Sequence, residues 1–120
     1  MNKQTKTLLT ILFVCVVSSF LSGCGSVEKT ICSDKEGQTR NGLVYLPNQE
    51  EPFTGKNLCK YENGQNKSKG KVEDGKKDGT WTEWYEKGEI KSKKNYNGGQ
   101  IEVEENYKDG NVVSETMYTY

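Results

Sequence analysis

The sequence predicts an all-β chain: an antiparallel meander or ribbon of stacked β-hairpins, after an N-terminal signal helix and a flexible tether. Three observations carry this. Glycines recur at Gly55, Gly64, Gly75, Gly79, Gly88, Gly98 and Gly110, most of them after Asn, Asp or Lys, and separated by strand-length runs. Asn-Gly and Asp-Gly supply the positive φ values that tight hairpin turns need. The segments also align with one another, and alanine and amphipathic helical patterns are absent after the signal.

The N-terminal segment reads as an export signal. Lys3 and Lys6 precede the apolar run LLTILFVCVVSSFL, Leu8 to Leu21. That length suits a signal h-region and is short for a bilayer span. LSGC, Leu21 to Cys24, then resembles the bacterial lipoprotein lipobox. The resemblance implies a diacylglyceryl thioether on Cys24, cleavage before it and acylation of the new amine. An ordinary secretory signal, or a hydrophobic helix kept in the fold, is the alternative. Two or three acyl chains anchor far more firmly than one. Gly25 and Ser26 follow, with no acidic residue. In a two-membrane bacterium this favours the outer membrane. The expected location is therefore a cell or outer membrane, facing periplasm or exterior. Residues 1–23 are the signal and 24–40 the lipidated cysteine with its tether.

The remainder is one small domain. Beyond residue 23 there are fifteen Lys+Arg against seventeen Asp+Glu, a net charge of −2. This gives no electrostatic footprint for nucleic acid. The chain has no histidine, hence no common general base or metal ligand. Serines lack a triad partner. The many carboxylates read as a solvated sheet face interleaved with lysines. No catalytic residue, metal or cofactor is expected.

Cys32 and Cys59 lie in what would be an oxidising compartment. A bridge would close a loop of roughly 28 residues and contribute about 3–4 kcal/mol by chain entropy. Two unpaired thiols remain the alternative.

Residues 41–120 form the repeat region, with units at about 55–78, 79–102 and 103–120. Shifting Gly55–Asp78 by 24 places matches Gly55 with Gly79, Tyr61 with Tyr85, Gly64 with Gly88, Ser68 with Ser92 and Val72 with Tyr96. A further shift of 22 matches Tyr85 with Tyr107, Ser92 with Ser114 and Tyr96 with Tyr118. Such periods mean stacked supersecondary units. Val72, Tyr96 and Tyr118 are expected to form one apolar row, and Tyr61, Tyr85 and Tyr107 a second. Strand alternation puts Trp81, Glu83 and Tyr85 on one face and Thr80, Thr82 and Trp84 on the other.

The stretch YENGQNKSKGKVEDGKKDGTWTEWYEKGEIKSKKNY resembles bacterial MORN-like repeats: tyrosine, two residues, glycine, a strand, then glycine-x-tryptophan. NGLVYLPNQEEPFTGK resembles the lead-in of the YwqK-type family, often labelled antitoxin. The third copy departs, with Ile101 and Val103 where Gly79 and Trp81 stood. It reads as a degenerate terminal unit that caps the array. The resemblance implies a β ribbon and says less about activity.

Trp81, Trp84, Tyr85 and Glu83 are the binding candidates, because GTWTEWYEKG gathers three aromatics within five residues. Aromatics are enriched at binding hot spots. Packing of both tryptophans within a thin sheet is the alternative. The function expected is a non-enzymatic protein- or glycan-binding module held at the envelope by acyl chains on Cys24. Two others stand beside it: an immunity-type protein against a toxin, and a structural envelope component.

Overall fold

The computed structural model describes residues 28–120. The signal-like segment and Cys24 lie outside the described residues. The chain runs β1 (Thr30–Ile31), α1 (Ser33–Glu36), β2 (Gln38–Arg40), β3 (Leu43–Tyr45), β4 (Gly55–Lys60), β5 (Asn66–Glu73), β6 (Lys76–Trp84), β7 (Ile90–Asn97), β8 (Gln100–Lys108) and β9 (Asn111–Met117). Seven strands make one sheet in the order β1-β4-β5-β6-β7-β8-β9, and β2 pairs with β3 in a separate hairpin. From β4 onward the sheet is an antiparallel meander.

Two turn chemistries alternate along it as far as β8, and the last turn repeats the two-residue form. Asp74–Gly75, Gly98–Gly99 and Asp109–Gly110 are two-residue loops with both φ values positive. Their flanks pair directly, as Glu73 with Lys76. This backbone twist matches that of the strands it joins. The other turns follow Tyr61 and Tyr85. In each, the tyrosine N–H donates across a five-residue loop, to Gln65 O and Glu89 O, and Gly64 or Gly88 donates back to the tyrosine carbonyl.

The repeat is also written in bulges. Cys59 pairs with Ser68 but Lys60 with Asn66, so Lys67 is extra. In the same way Lys91 is extra between Ser92 and Ile90, and Val113 between Ser114 and Val112. These three positions are equivalent under the shifts of 24 and 22. A bulge bends its strand and increases the local twist.

The core lies on the sheet face that carries Val72 and Trp81. Ile31, Phe53, Val72 and Trp81 are buried there, with Val44, Leu46 and Tyr96 packed against them. Gly75 fastens the N-terminal layer to the sheet. Val44 N–H donates to Gly75 O, Gly75 N–H to Phe53 O, and Phe53 N–H to Val44 O.

Trp81 settles into a gap built for it. Between the pairs Lys69–Thr82 and Lys71–Asp78, Gly70 alone on β5 faces Gly79, Thr80 and Trp81 on β6. The indole covers Gly70, and its Nε1–H donates to Lys71 O at 2.9 Å.

The flexible-tether expectation is corrected from Thr30 onward. β1 pairs parallel with β4, matching Thr30 to Lys56 and Ile31 to Asn57. Cys32 and Cys59 are joined by a disulfide, with Cα atoms 4.6 Å apart. Asn57 is 1% exposed, and its Oδ1 accepts from both Ser33 N–H and Ser33 Oγ at 2.8 Å. Its Nδ2 donates to Ser68 Oγ. The folded unit thus begins before residue 41, and the β2–β3 pairing crosses that boundary.

Cover declines toward the C-terminus. The Val72–Tyr96–Tyr118 row runs from 1% exposed at Val72 to 39% at Tyr118, because the N-terminal layer spans only the first part of the sheet.

Candidate binding cleft

β5, β6 and α1 enclose a polar cleft of about 190 Å³ on the core face. Ser68 and Glu83 are direct cross-strand partners, and Glu83 pairs onward with Ser92. Opposed residues share a face, so this polar row runs beside Trp81. The bulged Lys67 and Lys91 stand on the walls, with Asp34 of α1 opposite. Lys67 Nζ lies 3.6 Å from Asp34 Oδ2.

Lys77 also lines the cleft. Its Nζ sits 4.6 Å from the Trp81 ring centroid and 5.3 Å from that of Tyr96. The two rings meet edge-on, 6.3 Å apart. An ammonium over aromatic faces is held by the ring quadrupoles. Burial pushes the Lys77 ammonium below its ordinary value, against the opposing pull of Glu83. Burial likewise raises the Tyr96 phenol. Lys67, Lys77 and Lys91 face Asp34 and Glu83, so the cleft carries an excess of one positive charge.

The four sequence candidates do not form one exposed patch. Trp81 is 4% exposed and belongs to the core. Glu83 lines the cleft. Trp84 borders the cleft, where its carbonyl accepts from Tyr61 Oη at 2.8 Å, and also a wider groove beside Leu58, Thr82 and Lys69 on the other face. Tyr85 lies past the end of β6, 44% exposed, with Lys91 Nζ 6.0 Å from its ring. The bulge between Glu83 and Trp84 and the turn after Tyr85 separate them.

Sequence reasoning did not single out Lys67, Lys77, Lys91, Asp34 or Ser68 as cleft residues. The repeat held a signal for three of them: Lys67 and Lys91 are equivalent under the 24-residue shift, as are Ser68 and Ser92. Lys77 and Asp34 carry no such mark, because tertiary packing alone brings them in.

Cys32, Asp34 and Cys59 place potential ligand atoms within 4.8 Å of one another. Both sulfurs are spent on the disulfide, and a single carboxylate does not make a metal site. Among the described residues no helix is long and apolar enough to cross a membrane. No family model, curated protein or solved structure matches this chain.

Proposed function

We propose that this chain is a lipid-tethered, non-enzymatic binding module of MORN-like type, and that its cleft takes a cell-wall glycan. The observation that carries the reading is the cleft between β5, β6 and α1. It is small and polar, and it offers ammonium, carboxylate and hydroxyl groups beside the Trp81 indole. Sugars are recognised by such mixed donors and acceptors around a few fixed polar groups. A tether on Cys24 would keep the module close to the wall. A second reading is immunity against a toxin. Tyr85 favours it, being an exposed aromatic beside a lysine, the residue type that anchors protein interfaces.

Isothermal titration of the full chain in detergent with muramidase-released wall fragments tests the first reading. Saturable heat is expected, lost in Lys77→Met and retained in Tyr85→Ala. No heat from folded protein contradicts it.

A further inference from the structure

Several of the polar groups around the cleft are already spent on the protein itself. Lys67 and Asp34 face each other at 3.6 Å, and their charges cancel. Trp81 Nε1–H donates to Lys71 O, and Tyr61 Oη donates to Trp84 O. Ser33 gives both its N–H and its hydroxyl hydrogen to Asn57 Oδ1. These bonds hold the walls in place.

The remaining charges are Lys77, Lys91 and Glu83, all of which line the cleft. Among the described residues none of the three forms an ion pair. The two ammoniums lie beside rings instead: Lys77 Nζ by Trp81 and Tyr96, and Lys91 Nζ by Tyr85. Lys94, one strand further on, adds to the positive field at Lys77. Ser68 Oγ accepts from Asn57 Nδ2 at 3.1 Å, which leaves its O–H to donate. An ammonium offers three donors and no acceptor, whereas a carboxylate only accepts. Two free ammoniums and a hydroxyl donor therefore face a single free carboxylate. The cleft is rich in donors and positive by one charge.

We infer that the glycan taken by this cleft is acidic: its sugar carboxylate offsets the free ammoniums of Lys77 and Lys91, while its hydroxyls donate to Glu83. This rests on the glycan reading of the cleft and names the chemistry of that ligand. A neutral sugar has hydroxyls for Glu83 and Ser68 but leaves the positive charge unmatched. A sugar carboxylate brings one negative charge and acceptors alone, and hydrogen bonds between ionised partners are the strong ones. Glu83 then selects against a second negative charge, because like charges in one cleft repel.

Isothermal titration of the full chain in detergent compares three ligands. They are muramidase-released wall fragments, the same glycan stripped of peptide so that its sugar carboxylates are free, and the stripped glycan with those carboxylates converted to methyl amides. The stripped acid should bind, and the methyl amide should bind about tenfold or more weakly. Lys91→Met changes an exposed bulge residue and should keep the wild-type circular dichroism spectrum. It should also bring the acid down toward the affinity of the amide. Equal binding of acid and amide overturns the inference and leaves the glycan reading standing. So does a stripped acid that fails to bind where wall fragments do, or a preference for acid that survives in Lys91→Met. Absence of heat with all three ligands overturns both.

Discussion

The indole of Trp81 occupies the space that a side chain at Gly70 would need. A Cβ on Gly70 would overlap the Cγ, Cδ2 and Cε2 atoms of the indole. This contact fills the gap in the β5–β6 ladder and roofs the core with an aromatic ring. Gly70→Ala should therefore destabilise the domain by about 1–3 kcal/mol through overpacking. Trp81→Ala removes the ring and should cost about 3–5 kcal/mol. Urea unfolding followed by circular dichroism measures both. Gly70→Ala in a Trp81→Ala background should cost less than it does alone, because the obstruction is gone.

Removing the disulfide should cost about 3–4 kcal/mol by chain entropy. Its structural consequence is local. Cys32 is the joint between β1 and α1, so Cys32→Ser with Cys59→Ser should release Thr30 to Glu36 first. Limited proteolysis would then cut within that segment before it cuts the meander.

Asn57 carries a different load. It is buried and satisfies Ser33 N–H, Ser33 Oγ and Ser68 Oγ together. Asn57→Ala strands these partners, at a cost of about 1–3 kcal/mol. Asn57→Asp keeps the acceptor but loses the Nδ2 donor to Ser68. Amide exchange at Ser33 should accelerate in Asn57→Ala and stay slow in Asn57→Asp.

Lys77 makes a pH prediction. Its folded pKa lies below the ordinary 10.5 because the ammonium is desolvated. Between that depressed value and 10.5 the unfolded chain binds more protons than the folded one. Stability from this group therefore rises with pH across that window and is flat below it. Tyr96 acts with the opposite sign above 10.0, since its phenol is raised. The difference between wild type and Lys77→Met isolates the lysine. Wild type should gain on the variant as pH climbs toward 10.5, read by unfolding midpoints.

The meander was legible in the sequence, because its turns are local. Asp74–Gly75 and Asp109–Gly110 announce themselves by residue type, and the 24-residue shift exposes the repeat. Gly70 was not legible as a packing glycine. It sits in a lysine–serine alternation, and its constraint comes from Trp81, across the sheet. Residues 30–40 show no periodicity because two residues of parallel pairing, one disulfide and one buried asparagine order them. Alternation along β6 separates Trp81 and Glu83 from Thr82 and Trp84, but it does not say which face is covered. The cover is the segment from Leu43 to Phe53, and that pairing is tertiary.

The cleft beside Trp81 is the proposed glycan site. Amide and lysine side-chain NMR spectra of the full chain, with and without muramidase-released wall fragments, test it most directly. Shifts gathered at Ser68, Lys77, Trp81, Glu83 and Lys91 are expected. Spectra that do not change, or shifts gathered on the opposite face around Leu58, Lys69 and Thr82, would contradict it.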